Sequence, residues 1–262
     1  MDTTEARSQV KPRRQMSRGR AAAIHLSISV SVAVATAALI YGLWYPPPYF
    51  QVAGGDELML LIMGVDVMIG PFLTLVVFNP AKRWLKLDLA IIAMLQATAF
   101  AYGIYVIASA RPVFIVGEVD RFLVVCANQL DDEDLAQGKQ PEFRTRSWTG
   151  PRLVGAKPPA HGNDQLSVLL SALAGKGADK MPQYYVPYAE ISDQLLTYSK
   201  TLDELITRGA TEAEVIAAFL RQHGGAADDY RALPLHGRLR IFTMVVARNG
   251  GNPIAALPID PW

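Results

Sequence analysis

The chain has 262 residues, 51% of them apolar, with 25 basic and 24 acidic side chains and a positive mean hydropathy. Only 19% of residues are charged, below the roughly 25% of a typical soluble domain, which points to a membrane portion joined to a soluble one. No segment is basic enough to serve as a nucleic-acid surface, and a single cysteine, Cys126, excludes both an intramolecular disulfide and a Cys-rich metal site.

The first 20 residues form a basic tail, with Arg7, Lys11, Arg13, Arg14, Arg18 and Arg20. Residues 1–15 are expected to be disordered, and Met16 is an alternative start to Met1. Three long apolar runs follow, at about 21–44, 58–78 and 87–110. Each is long enough for about 30–36 Å of helix, the thickness of a bilayer core. The first is too long for a cleaved signal peptide and no small-residue cleavage site follows it. Lys82, Arg83 and Lys86 lie between the second and third runs, while residues 45–57 hold no Lys or Arg. The positive-inside rule then puts the N-terminus and the 79–86 loop in the cytoplasm, and the 45–57 loop and everything after Ala110 outside. Trp44, Tyr45, Tyr49, Phe50 and Trp84 fall where interfacial aromatics are expected, and Pro46–Pro48 predicts a stiff, extended exit from the first run.

Gly54-Gly55-Asp56-Glu57-Leu58 is one residue from the GGDEF signature of diguanylate cyclases. It stands directly before a membrane run, with no nucleotide-binding domain around it. Its local chemistry is that of a helix entry: the glycines turn the chain, Asp56 caps the second run, and Glu57 complements the positive end of its dipole.

Beyond residue 110 the composition is that of a soluble domain. Residues 111–127 read as β structure, with a bulge or turn among Gly117, Glu118 and Asp120. Residues 131–137 read as a short acidic helical turn, and 142–159 as a loop with short extended pieces. Helices are predicted over 164–175, 188–209 and 211–225, the last opened by a Thr211–Glu214 capping box. Residues 238–262 read as two strands joined at Asn249–Asn252. The fold class predicted is therefore an integral membrane protein: three transmembrane α-helices (21–110), then an α+β periplasmic domain (111–262) built on an antiparallel sheet.

Asp66 is the leading site candidate, because an acid near the middle of a membrane run costs at least about 2.5 kcal/mol. It is expected to anchor another helix, in this bundle or in a partner. Pro71 cannot bond the carbonyl of Val67, and Gly64 and Gly70 allow close helix approach. Ser29, Ser31, Gln96 and Thr98 are partners at matching depth. In the outer domain, Trp148 and the rigid stretch 150–155 that follows it, with Arg152, suit either a partner contact or a packed connecting loop. His25 reads as an interfacial side chain and Cys126 as a buried, inert thiol. His161, His223 and His236 show no metal-ligand spacing, and no nucleophile or phosphate-loop motif occurs. The reading is therefore of no catalytic, cofactor or metal site.

The stretches "WYPPPYF", "AGGDEL", "GVDVMIGPFLTLVVFNP", "ARPVFIVGEVDRF", "WTGPRLVGA" and "IDPW", in that order and spacing, resemble the type IV pilin accessory proteins of the TfpX/TfpZ family. The resemblance runs from about residue 16 to the end. It implies an inner-membrane accessory factor in type IV pilus assembly. Such a protein would work beside its cognate major pilin, in contact with inner-membrane lipid and other pilus assembly components, and would promote surface display without catalysis. The alternative is a membrane-anchored periplasmic hydrolase acting on pilin or cell envelope, which requires a polar cleft holding His161 or His236 beside carboxylates.

Overall fold

The computed structural model describes residues 16–159, 161 and 163–261. The expectations for the 1–15 tail and for Trp262 of the last motif lie outside those residues. Helix α1 (Arg18–Leu39) opens with the Ser17 hydroxyl accepting the Arg20 N–H at 3.3 Å, an N-cap, and runs on through a π-helical turn at Ile40–Trp44. A short helix α2 (Tyr49–Val52) follows a cis Pro47–Pro48 peptide, where an extended proline segment was expected. Helix α3 (Gly55–Val77) has Pro71 inside it, and α4 spans Leu85–Ser109. Among the described residues two helices, Arg18–Trp44 and Leu85–Ser109, are long and apolar enough to cross a membrane. The described apolar stretch of α3 is Asp66–Val77.

Contacts divide the chain into two compact units. One holds the residues up to Val34 together with Ile62–Ala101; the other holds Ala35–Leu61 and the residues from Tyr102 onward. In the first unit, apolar side chains such as Ile28, Val34, Phe72, Met94 and Leu95 are exposed, as on helices with an apolar surrounding.

The second unit is built on strands β1 (Pro112–Glu118), β2 (Arg121–Cys126), β3 (Arg152–Ala156), β4 (Tyr185–Pro187), β5 (Lys200–Thr201), β6 (Tyr230–His236), β7 (Ile241–Ala247) and β8 (Pro253–Leu257). They form one sheet in the order β4-β3-β1-β2-β6-β7-β8, with β5 beside β6. The sheet is mixed, which corrects the antiparallel prediction: β1 pairs in parallel with β3, and β2 with β6. Parallel neighbours need long crossovers, and residues 119–151 and 127–229 supply them. β1 and β2 are a hairpin closed by Val119–Asp120, with Val119 at a φ of 48°.

Five further α-helices lie in this unit among the described residues: α5 (Asp132–Ala136), α6 (Asn163–Leu173), α7 (Ser192–Tyr198), α8 (Leu202–Ile206) and α9 (Ala210–His223). The single helix predicted over 188–209 is therefore broken. Lys200 and Thr201 leave it to pair with Arg231 and Ala232 of β6. Thr201 then starts α8 with a capping box, its hydroxyl accepting the Glu204 N–H at 3.2 Å. The predicted box at Thr211 is absent, because α9 starts from Gly209 without a side-chain cap.

The core has two parts. Val113, Phe114, Val116, Phe143, Val154 and Tyr185 pack around β1 and β3. Leu202, Leu205, Ile216 and Phe219 pack α8 and α9 onto β6–β8, with Ile259 closing that cluster.

Candidate partner-contact sites

In the first unit, the polar side chains gather. A cavity of about 380 Å³ opens between α1, α3 and α4, and His25, Ser29, Asp66 and Gln96 supply its polar lining. The rest of the wall is apolar, including Ile28, Val32, Ala93 and Phe100. The Gln96 amide donates to the backbone carbonyl of Asp66 at 3.5 Å, and His25 Nδ1 lies 2.6 Å from the Thr74 hydroxyl. Pro71 sits five residues further along α3, where it leaves the carbonyl of Val67 without its helical donor.

Gly70 is buried against Gln96, whose amide a Cβ there would strike, while a Cβ on Gly64 would meet open space. Ser29 and Gln96 thus reach the Asp66 cavity, as their depth suggested. Ser31 and Thr98 do not: each bonds a carbonyl of its own helix and is exposed.

In the second unit, the segment after α1, the end of α4 and the residues around Trp148 form an aromatic joint. Tyr45 is fully buried and donates to the Ile107 carbonyl at 2.9 Å. Phe50 is buried beside it, with ring centroids 5.7 Å apart. Burial pushes the Tyr45 phenol well above its usual range. Arg111, 5% exposed, donates to the carbonyls of Ser147 at 3.0 Å and Ala108 at 2.5 Å, and its guanidinium lies 3.8 Å from the Trp148 ring centroid. Burial, and then the charge of Arg146, lower the Arg111 pKa. Trp44 lies 6.3 Å from Trp148, and Gly150, at a φ of 87°, packs so closely on Pro46 that a Cβ would come within 2.9 Å.

Trp44, Tyr45 and Phe50 are thus buried parts of this joint, while Trp84 is exposed. Asp56 also departs from expectation. It lies inside the first turn of α3, and its carboxylate takes Arg240 at 3.0 Å, tying this segment to the β6–β7 connection. Gly237 of that connection lies directly on the Val52 backbone.

Trp148 therefore has one face stacked on Arg111 and remains 59% exposed. Arg152 begins β3 and holds the preceding loop, donating to the carbonyls of Glu142 at 2.6 Å and Thr145 at 2.8 Å. Sequence reasoning took Tyr45 for an interfacial side chain and Asp56 for a helix cap, and did not single out Arg111, Gly150 or the Asp56–Arg240 pairing. A signal was present for four of these residues: Tyr45, Asp56, Arg111 and Gly150 lie in "WYPPPYF", "AGGDEL", "ARPVFIVGEVDRF" and "WTGPRLVGA", whereas Arg240 lies in none of them. Helix α6 is a further surprise. Its leucines Leu166, Leu169, Leu170 and Leu173 follow helical spacing, yet all four are exposed.

For the hydrolase alternative, His236 is the relevant histidine. It is half-buried at the end of β6 with Nε2 unpartnered, and burial and the Arg121 charge lower its pKa against the opposing pull of Asp120 and Asp260. The Cys126 thiol is buried and pushed up to about 11, which leaves it a poor nucleophile. Among the described residues no group of three or more His, Cys, Asp or Glu side chains is placed to hold a metal ion.

A family model described as fimbrial assembly protein FimB matches residues 13–54. The fimbrial assembly protein of serogroup I from Dichelobacter nodosus is 30% identical over 245 residues, covering 92% of this chain and 95% of that protein. The serogroup E1 protein of the same organism is 29% identical over 244 residues, with the same coverage. The protein of serogroups C1 and C2 is 37% identical over 118 residues, 44% of this chain and 90% of that protein. No solved structure matches the chain.

Proposed function

The chain belongs to the fimbrial assembly protein family, and on that premise we propose that it is a membrane-anchored, non-catalytic accessory factor for type IV pilus biogenesis that acts on its cognate major pilin. The observation that carries this reading is the likeness to the serogroup I fimbrial assembly protein over 92% of the chain, which takes in the apolar helices and the outer domain alike. The two long apolar helices support membrane association.

In this reading α3 is a third span. Residues 1–20 are a cytoplasmic tail, 21–110 lie in the inner membrane, and 111–262 form a periplasmic domain, an orientation drawn from the loop charges. A pilin before assembly would be a membrane helix carrying a globular head, so a partner with both a bundle and an outer domain has a surface for each. Asp66, Gly64, Gly70 and Pro71 serve the helix contact. The exposed face of Trp148 serves the head, with Arg152 holding the loop beneath it.

Deletion of the gene tests the role. Surface pili, quantified by shearing and immunoblot, should fall sharply. Restoration on removing the retraction motor would assign the protein to extension, and continued loss would assign it to an earlier step. Unchanged piliation would overturn the proposal.

A further inference from the structure

The acid of the cavity is not satisfied by its neighbours. Among the described residues no hydrogen bond reaches the Asp66 carboxylate: Gln96 is directed to the Asp66 main-chain carbonyl, and His25 to Thr74. An acid in an apolar surrounding is strongly disfavoured without a counterpart. At about 380 Å³ the cavity is of ligand-binding size.

Its depth narrows what that counterpart is. Asp66 lies eleven residues from each end of the 23-residue α3, about 17 Å along the helix axis in either direction. In a bilayer a lipid headgroup stays at the interface and does not reach that level. A side chain carried at mid-length on another apolar helix does.

We infer that the cavity between α1, α3 and α4 seats a cationic or hydrogen-bond-donating side chain borne at mid-length on an apolar transmembrane helix of a partner. Asp66 is the acceptor, Ser29 and Gln96 complete the polar seat, and Val32, Ala97 and Phe100 pack the partner's apolar flank. This rests on reading the helices as a membrane bundle that serves a helical partner. It adds the chemistry by which that partner is chosen.

The test is energy transfer between the full-length protein, reconstituted in phosphatidylethanolamine–phosphatidylglycerol vesicles, and membrane-length polyleucine peptides carrying either lysine or leucine at the centre. The lysine peptide should associate about tenfold more strongly, the scale of a good interhelical polar contact. Asp66→Leu should abolish that preference and Asp66→Asn retain part of it. Ala97→Phe, which fills the cavity and leaves the acid intact, should reduce it as well.

Equal association of the two peptides with the wild-type protein, or a preference that survives both Asp66→Leu and Ala97→Phe, overturns the inference. The peptides report the chemistry of the cavity and the deletion strain reports the role in piliation. A failure of one reading is therefore visible without a failure of the other.

Discussion

The two units solve opposite problems with the same residue types. In the first unit, many leucine, valine and phenylalanine side chains are exposed, while His25, Ser29, Asp66 and Gln96 line one cavity. In the second unit, the apolar residues of β1–β3, of α8 and α9 and of β6–β8 are buried, and most charged side chains stay accessible, with Arg111 and Asp179 as buried exceptions. The contrast teaches that burial reports stability in one unit and not in the other. An exposed Phe72 and a buried Phe219 are each where their surroundings favour them.

Truncation sharpens that contrast most strongly. Phe219 is 3% exposed, stacked on His223 and edge-on to Tyr230. Phe219→Ala should destabilise the second unit by about 3–5 kcal/mol. Phe72→Ala, at a side chain 64% exposed, should leave the same thermal transition unmoved. Both are read by thermal unfolding of the full-length protein in detergent; equal shifts would break the comparison.

The aromatic joint should show the next largest effect. Arg111→Met removes two hydrogen bonds to carbonyls and the stacking on Trp148, and should cost about 2–3 kcal/mol. The indole emission of Trp148 should shift with it. Tyr45→Phe, which orphans the Ile107 carbonyl, should cost about 1 kcal/mol.

A third prediction concerns pH. Burial raises the pKa of both Asp179 and Glu118, and the charge of Asp179 raises Glu118 further. The folded state therefore holds these protons more tightly than the unfolded chain. Their contribution is most favourable below the ordinary carboxylate range and is lost as pH rises through the raised values. Asp179→Asn and Glu118→Gln should each raise the melting temperature at pH 8, with the gain shrinking as pH falls below the carboxylate range. A gain that is independent of pH would contradict the assignment.

The smallest effect is at the β1–β2 turn. Val119 holds a positive φ with a branched side chain, a conformation that costs about 1–2 kcal/mol, of which glycine's greater chain entropy returns part. Val119→Gly should stabilise by about 0.5 kcal/mol in chemical denaturation.

What the sequence made legible follows from the range of each interaction. The two long apolar helices and the β7–β8 hairpin depend on hydropathy and turn chemistry within a few residues, and they were readable. Strand β6 was hidden by Pro234, which reads against a strand. It is tolerated because β5 pairs only up to Ala232 and β2 only from Leu235. The break at Lys200–Thr201 was hidden because its pairing partner lies some thirty residues on.

Of the sites, Asp66 stood out as an acid in an apolar run, and Trp148 as an aromatic beside rigid residues. Tyr45–Ile107 and Asp56–Arg240 join positions 62 and 184 residues apart, separations that local patterning does not report. The motif resemblance marked the right stretches without saying that they touch.

The proposed function has this chain act by holding its cognate pilin. It is tested most directly by recovery of that pilin with the tagged full-length protein from detergent-solubilised membranes. The account predicts co-purification with the wild-type protein and its loss, at unchanged protein level, in a variant combining Asp66→Leu with Trp148→Ala. Absence of the pilin from the wild-type preparation, or equal recovery with the double variant, would contradict it.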